Sequence, residues 1–137
     1  MKPHHLDSSI VIPFVSAILG TREEKRVVAN QKALKWVSSC RAPIKISMAT
    51  YAETLRHFGD IEEVEALLRE TFSAPLPLTA SVARRWSRMQ NRSERTMGDN
   101  DAWVAALAVM ERGVVVGHDR NAFHERPDVE YVDYLRN

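Results

Sequence analysis

The chain has 137 residues, of which 45% are hydrophobic, and its 19 Lys and Arg nearly balance its 18 Asp and Glu. A chain of this size can bury a substantial core but is too short for two ordinary domains, so we predict one domain over residues 1–137. The formal net charge of +1 says little about partners, so the positions of the charges carry the information.

Transmembrane, secreted and disulfide-linked proteins are all disfavoured. No apolar run approaches the roughly 18 residues needed to span a bilayer, so we expect no membrane partner. The stretch MKPHHLDSSIVIPFV does not resemble a secretory signal, because an Asp and two Ser interrupt its apolar part and no small-residue cleavage site follows. The single Cys40 excludes an internal disulfide and a multi-cysteine zinc site. These features predict a cytoplasmic protein.

The first half of the chain predicts short strands that each lead into a helix. In order, the pattern indicates a strand over His4–Asp7, a helix from Ile10 with Pro13 in its first turn, a charged helix over about Glu23–Val37, a strand over Ile44–Met48 and a helix from near Thr50. Ser8 or Ser9 is placed to cap the first helix. Glu53 falls in about the first turn of the third.

The second half contains two amphipathic helices and a late strand. In order, the pattern indicates a helix that Asp60 caps, a short strand within Ala74–Leu78, a helix that Thr79 caps and that turns Val82, Trp86 and Met89 inward, and an edge strand over Val129–Val132. The apolar residues that recur at the helical period in the first of these helices are Ile61, Val64, Leu67, Leu68 and Phe72. Between the helix that Thr79 caps and the edge strand lies a longer unit that contains both a helix and a strand.

That unit, residues 96–123, predicts a buried helix followed by a buried strand. An acidic turn, GDND, opens an almost wholly apolar helix over Ala102–Met110, a glycine ends it, and Val114–Val116 forms a short strand. A helix that is apolar on nearly every side has to be buried, and a short all-valine strand suits the interior of a parallel sheet. Because such a helix runs back along the sheet, Asp101 at its start and Asp119 after the strand are predicted to meet.

Alternating strands and helices predict an α/β fold with a doubly wound, largely parallel sheet. In such sheets ligands bind beyond the carboxyl ends of the strands. Four acids are predicted to converge there: Asp7, Glu53, Asp101 and Asp119. Close carboxylates repel one another, so the arrangement requires a bound cation or protonation of some of the acids. Oxygen ligands without matching His or Cys favour Mg²⁺ or Mn²⁺ over zinc.

Four blocks of sequence, HLDSSIVI, MATYAETL, GDNDAWVAAL and VVVGHDRNAF, resemble the PIN-domain ribonucleases, and most closely the VapC-type toxins of toxin–antitoxin pairs. The resemblance runs from His4 to about Phe123. It implies a PIN-like three-layer α/β/α sandwich and a metal-dependent endoribonuclease that uses Mg²⁺ or Mn²⁺. It also implies a homodimer that a VapB-like antitoxin holds inactive by covering the site.

The resemblance assigns roles to individual residues. The family's acidic positions fall on Asp7, Glu53, Asp101 and Asp119. Asp7 and Asp101 are the implied direct metal ligands, and Asp119 is a ligand of a second ion or an outer-shell acid. Glu53 is a ligand or a base that acts through water. The family's hydroxyl position falls on Ser8 or Ser9, and Ser9 stands where the family often has Asn.

Each of these acids also has a structural interpretation. Asp7 is placed to cap a helix, and Glu53 can lie in a solvated first turn. Asp99 is predicted to cap the helix that carries Asp101, and is otherwise a candidate secondary contact to the site. The joint pattern favours function for Asp7, Glu53 and Asp101.

An arginine series leads into the acidic turn. Arg84, Arg88, Arg92 and Arg95 recur at three- and four-residue spacing and predict a stripe along a helix. Such a stripe is commonly a solvated face. Because its last members directly precede the acidic turn, Arg88, Arg92 and Arg95 are also candidates to hold RNA phosphates.

Two other functions fit parts of the pattern. A haloacid-dehalogenase-like phosphatase also places an Asp after its first strand, but its chemistry requires a second Asp two residues later, where this chain has Ser9. A catalytically idle PIN-like module that binds RNA or a protein would have the fold without turnover. Metal-assisted hydrolysis carries no base preference, so the pattern does not select one RNA.

Overall fold

The computed structural model describes residues 1–20, 26–59, 61–91, 97–118, 123 and 128–136. Predictions that fall on Asp60, Arg92, Arg95 and Asp119 lie outside these residues. The described elements are β1 (His4–Leu6), α1 (Ser8–Leu19), α2 (Val27–Ser39), β2 (Ile44–Lys45), α3 (Met48–Phe58), α4 (Glu62–Phe72), α5 (Ala80–Asn91), α6 (Asp99–Met110), β3 (Val114–Gly117) and β4 (Tyr131–Asp133). None of these helices has the length and apolar character to cross a membrane.

Within the described residues, the strands form one parallel sheet in the order β2-β1-β3-β4. β1 lies between β2 and β3, with Leu6 opposite Val116, and β3 pairs with β4, with Gly117 opposite Asp133. The carboxyl ends of the strands therefore lie together, at what we call the carboxyl edge. This order confirms the predicted parallel sheet, with the last strand as an edge strand.

The all-valine strand β3 separates two hydrophobic cores. Val114 and Val116 belong to one core, whose other buried members include Ile10, Phe14 and Val15 of α1, Val37 of α2, and Val64, Leu68 and Phe72 of α4. Val115 belongs to the other, with Val82 and Met89 of α5 and Ala102 and Val104–Ala108 of α6. Alternate side chains of a strand face opposite sides of a sheet, so helices cover both faces. This confirms the three-layer α/β/α arrangement and the buried α6.

The first helix begins earlier than predicted. Asp7 is its N-cap, because the Asp7 side chain accepts a hydrogen bond from the backbone N–H of Ser9, and the helix starts at Ser8. The prediction that Ser8 or Ser9 caps a helix from Ile10 is therefore wrong. An aspartate satisfies an unpaired N–H at a helix start as well as a serine does. The strand before it ends at Leu6.

Pro13 consequently lies beyond the first turn of α1, where proline disrupts helical hydrogen bonding. It lacks the N–H that would bond to the carbonyl of Ser9 four residues earlier. The Tyr134 hydroxyl donates to that carbonyl at 3.1 Å. Burial, with the negative charges of Asp7 and Asp133, raises the pKa of Tyr134 to about 12, so the hydroxyl keeps the proton that it donates.

Ser47 shortens the second strand. Its hydroxyl accepts a hydrogen bond from Thr50 N at 3.1 Å and so caps α3, which begins at Met48. Ser47 also forms an isolated parallel bridge with Leu76. The strand predicted over Ile44–Met48 therefore ends early, and the one predicted in the Pro-rich link is reduced to this bridge.

The predicted helix caps have mixed outcomes. Thr79 is confirmed, since its hydroxyl oxygen accepts from Val82 N at 3.3 Å. The N-cap of α6 is Gly98 with no side-chain hydrogen bond, so the prediction that Asp99 caps this helix is wrong. Ile61, one residue after the predicted cap, is the N-cap of α4 and also makes no side-chain cap bond.

The last strand begins two residues later and ends one residue later than predicted. Val115 N donates to Glu130 O at 2.9 Å, and Tyr134 N donates to Gly117 O at 3.2 Å. These bonds extend the pairing with β3 to its glycine end, so β4 runs to Asp133. Because β4 ends at Asp133, it brings the carboxylate of Asp133 to the carboxyl edge.

His5 is a buried titratable side chain in β1. It is 1% exposed and, within the described part of the chain, neither ring nitrogen has a hydrogen-bond partner. The nearest carboxylate, that of Glu111, lies 3.5 Å from Nε2 and itself pairs with Lys45 Nζ at 2.5 Å. Burial lowers the pKa of His5 to about 4, and the attraction of Glu111 offsets only part of this effect.

We expect His5 to make the fold less stable as the pH falls from 6.5 towards about 4. The unfolded chain binds a proton at the ordinary pKa of 6.5, whereas the folded chain does so only near 4. Stability is therefore lost across that window, by at most roughly 3 kcal/mol at its lower end. Urea denaturation at a series of pH values across the window measures the loss.

His5→Phe is the matched variant, because it removes the titrating group and keeps a buried ring. It should lose less stability than the wild type on acidification. His57→Gln, at an exposed position in α3, should behave like the wild type. Equal acid sensitivity of the wild type and His5→Phe would contradict this assignment.

Candidate active site at the carboxyl edge

Asp7 is the buried acid of the carboxyl edge. It follows β1 directly, is 3% exposed, and its N–H donates to Val116 O of β3 at 3.0 Å. Its Oδ1 accepts hydrogen bonds from both the N–H, at 2.8 Å, and the hydroxyl of Ser9. Such bonds are what permit a carboxylate to be buried.

Ser9 connects this acid to the next strand. The Ser9 Oγ that donates to Asp7 also accepts a hydrogen bond from His118 N at 2.7 Å. The hydroxyl therefore joins the start of α1 to the residue after β3. The sequence suggested a secondary contact for Ser9, and the structure gives it this connecting position.

Gly117 makes room for these contacts. A Cβ on Gly117 would lie 2.6 Å from Ser9 Oγ and closer still to Asp7 Oδ1, both shorter than the contacts that real Cβ atoms make with non-bonded atoms. The end of β3 can approach the acid only because this residue has no side chain.

Glu53 links two helix starts. Its Oε2 accepts from Ser8 Oγ at 3.3 Å, and its carboxylate also bonds to the Asn100 side chain. Ser8 opens α1 beside Asp7, and Asn100 precedes Asp101 in the first turn of α6. Burial raises the pKa of Glu53, and the two hydrogen bonds oppose that rise without cancelling it.

Asp101 lies in the first turn of α6, as predicted. It is partly buried, and its Oδ2 lies 3.5 Å from where a Cβ on Gly98 would stand. The positive end of the helix dipole favours its ionised form. Asp99 is exposed, and its backbone carbonyl accepts from Trp86 Nε1 at 3.4 Å. Glu53 and Asn100 thus connect the turn of Asp101 to the helix start beside Asp7.

The sequence reasoning missed two residues at this edge, Asp133 and His118. His118 Nδ1 lies 2.9 and 3.0 Å from the two carboxylate oxygens of Asp133. No role was assigned to His118 from the sequence. The signal that could have identified Asp133 is an acid at the end of a strand, which is the pattern that identified Asp7. It was missed because the predicted last strand ended at Val132.

The donor chemistry of the edge fits a hard divalent cation. Carboxylate, hydroxyl and amide oxygens are what Mg²⁺ and Mn²⁺ prefer. Among the described residues, however, no group of three or more His, Cys, Asp and Glu is placed to hold an ion. Asp119, the predicted fourth acid, lies outside those residues.

The arginine helix lies against the acidic turn. Gln90 of α5 bonds to both the N and the O of Met97, at 3.0 and 2.8 Å, and Trp86 stacks on Trp103 of α6 with ring centroids 5.4 Å apart. These contacts fix the last turns of α5 next to the start of α6. Arg88 is exposed there, while Arg92 and Arg95 lie outside the described residues.

Comparison with known families gives a match over most of the chain. The model of the PIN domain matches residues 5–128. The chain belongs to the PIN-domain family. This confirms the family resemblance drawn from the four sequence blocks.

Solved structures give the same fold. VapBC-1 from nontypeable Haemophilus influenzae is 23% identical with a TM-score of 0.70, covering 97% of this chain and 98% of that one. FitAcB from Neisseria gonorrhoeae is 17% identical with a TM-score of 0.73, covering 98% and 99%. VapBC2 from Rickettsia felis, solved bound to a DNA fragment from its promoter, is 16% identical with a TM-score of 0.69, covering 96% and 98%. No curated protein matches the chain.

Gly117→Ala should destabilise the protein by about 1–3 kcal/mol, the usual cost of forcing a group into filled space. The new methyl group has to displace the Asp7 carboxylate or the Ser9 hydroxyl. Chemical denaturation measures the effect. Gly98→Ala, whose Cβ would meet its nearest atom at 3.5 Å, should cost less than about 1 kcal/mol. Equal losses for the two variants would mean that the carboxyl edge tolerates a side chain at Gly117.

Proposed function

We propose that this PIN-domain protein is a VapC-like toxin, a metal-dependent endoribonuclease that hydrolyses RNA phosphodiesters. The observation that carries the proposal is the hydrogen-bonded connection between two acidic helix starts. Glu53 bonds to Ser8 beside Asp7 and to Asn100 beside Asp101. Acids from three distant stretches of sequence are thereby drawn to the carboxyl edge of a PIN domain, where α/β sheets bind their ligands.

Asp7, Asp101 and Asp119 are the residues proposed to hold Mg²⁺ or Mn²⁺. When bound, such an ion lowers the pKa of a water molecule and stabilises charge on a phosphoryl group. Asp7 is oriented for this by Ser9, which occupies its Oδ1. Ser8 and Asn100 orient Glu53, and Asp99 lies at the outer side of the same turn as Asp101.

Glu53 is proposed to accept the proton of the attacking water. Burial raises the pKa of its carboxyl group, which makes its ionised form a stronger base than an exposed glutamate. The hydrogen bond from Ser8 holds one oxygen in place. Glu53 therefore combines a fixed position with increased basicity.

The proposed partners are RNA and a VapB-like antitoxin that covers the site. Toxin–antitoxin complexes are among the solved structures with this fold, including one from Klebsiella pneumoniae. We further propose a homodimer that acts on RNA in the cytoplasm. Arg88, Arg92 and Arg95, which precede the acidic turn in the sequence, are proposed to contact RNA phosphates.

Purified chain free of any partner should cut cellular RNA with Mn²⁺ or Mg²⁺ and stop when EDTA is added. Asp7→Asn and Asp101→Asn should each lower the rate at least about a hundredfold, because loss of even an outer-shell partner of a metal costs 10- to 100-fold. Gel analysis of the RNA measures the rates, and calorimetric titration measures Mn²⁺ binding.

Glu62→Gln is the control, since Glu62 is an exposed acid on α4, in the layer opposite α6. It should cut RNA at the wild-type rate. Wild-type protein that is folded and binds Mn²⁺ but cuts no RNA would instead support an idle PIN-like binding module. Undiminished Mn²⁺ binding by Asp7→Asn would exclude Asp7 as a ligand.

Arg88→Ala should weaken RNA binding without changing which sites are cut. Loss of one phosphate contact to a single strand reduces the slope of log affinity against log salt by about 0.7. Fluorescence anisotropy with a labelled oligonucleotide across a salt series measures the slope. Arg41→Ala is the matched control. Arg41 is exposed and precedes β2, so it lies near the amino-terminal ends of the strands, away from the carboxyl edge. A slope unchanged in Arg88→Ala would remove Arg88 from the RNA-binding surface.

A further inference from the structure

The His118 ring is held in a fixed position at the rim of the carboxyl edge. Its Nδ1 contacts both carboxylate oxygens of Asp133, whose side chain is 9% exposed, while the His118 side chain is 45% exposed. Its backbone N–H bonds to Ser9 Oγ, which in turn bonds to Asp7. His118 is therefore held at two points, at ring atom Nδ1 and at its backbone N–H, and the backbone N–H lies two hydrogen bonds from the buried acid.

Asp133 determines which ring nitrogen carries hydrogen. An ionised carboxylate only accepts hydrogen bonds, so Nδ1 must be the donor. In the neutral imidazole Nε2 is then an acceptor with a free lone pair. The Asp133 carboxylate is itself held by the N–H of Leu135 at 3.0 Å. Within the described part of the chain, no residue bonds to Nε2.

Such an acceptor can distinguish RNA from DNA, because the ribose 2′-hydroxyl, which DNA lacks, can donate a hydrogen bond to it. In the proposed hydrolysis the nucleophile would be a water molecule that a metal ion activates, so the ribose 2′-hydroxyl would take no part in the reaction. A protein group that contacts this hydroxyl is then one way to discriminate between the two nucleic acids. A fixed acceptor beside the acids, with an exposed face, is placed for that contact.

We propose that His118 Nε2 accepts a hydrogen bond from a ribose 2′-hydroxyl next to the cleaved phosphodiester, and so selects RNA over DNA. Asp133 is the positioning residue that sets the tautomer and the direction of the ring. The inference rests on the proposed nuclease function and adds the feature by which the substrate is recognised. One hydrogen bond at a half-exposed site corresponds to a preference on the order of 3- to 10-fold.

The test uses an RNA oligonucleotide that the protein cuts at one site, and matched copies with a single 2′-deoxynucleotide at each position around that site. With Mn²⁺ and the wild-type chain, deoxy substitution at one position beside the cut should slow cleavage about 3- to 10-fold. The His118 ring lies edge-to-face with the ring of Tyr134, with centroids 6.4 Å apart. His118→Phe keeps a ring at this position but has no acceptor. It should cut the two substrates at equal rates.

His118→Gln should recover part of the preference, because its side-chain oxygen can reach the position of Nε2. Asp133→Leu should lose the preference as His118→Phe does. The ratio of the two rates is an internal control, since a variant that merely distorts the site slows both substrates alike. Nitrogen NMR of wild-type His118 should show the tautomer with hydrogen on Nδ1.

The outcomes separate this inference from the proposed function. Wild-type protein that cuts no RNA overturns the nuclease, and the His118 assignment with it. RNA cleavage with an equal preference in wild type and His118→Phe overturns the His118 assignment and leaves the nuclease standing. Hydrogen on Nε2 in the NMR spectrum likewise excludes an acceptor at that nitrogen.

Discussion

The burial of the Asp7 carboxylate is the constraint on which the carboxyl edge depends. A buried charge is costly unless hydrogen bonds replace the water it loses, and Ser9 supplies two of them from the first turn of α1. The same serine hydroxyl accepts from the backbone after β3, and the backbone N–H of Asp7 donates to Val116 O of β3, so the hydrogen bonds around the acid also connect the helix to the strand. Gly117 permits the approach by having no side chain. One aspartate thus fixes the relative positions of β1, α1 and β3.

Much of the fold was predictable because its signals are local. The apolar α6 and the all-valine β3 have to be buried wherever they are placed, and the alternation of strands and helices then favours a parallel sheet. The acids Asp7, Glu53 and Asp101 were found for a related reason, since each stands at the end of a strand or the start of a helix. The family match over residues 5–128 agrees with that interpretation.

The features that were missed depend on contacts between distant residues. The pairing of His118 with Asp133 follows from the register of β3 and β4, which sets Gly117 opposite Asp133. No local pattern specifies that register, and a strand end misplaced by one residue was enough to conceal it. The role of Asn100 likewise depends on Glu53, which belongs to another helix. The helix starts at Asp7 and Gly98 were misassigned because several neighbouring polar residues have similar capping tendencies.

The bond from Tyr134 to Ser9 has a consequence for the order in which the protein matures. Pro13 leaves the carbonyl of Ser9 without its helical partner, and the hydroxyl that completes it lies 125 residues further along the chain. During synthesis the first helix therefore emerges from the ribosome long before Tyr134, and until then the carbonyl of Ser9 can bond to water. Asp7, Glu53 and Asp101 are all synthesised before Tyr134, whose hydroxyl bonds to the carbonyl of Ser9. The arrangement delays completion of the carboxyl edge until the strand that carries Asp133 has also been made.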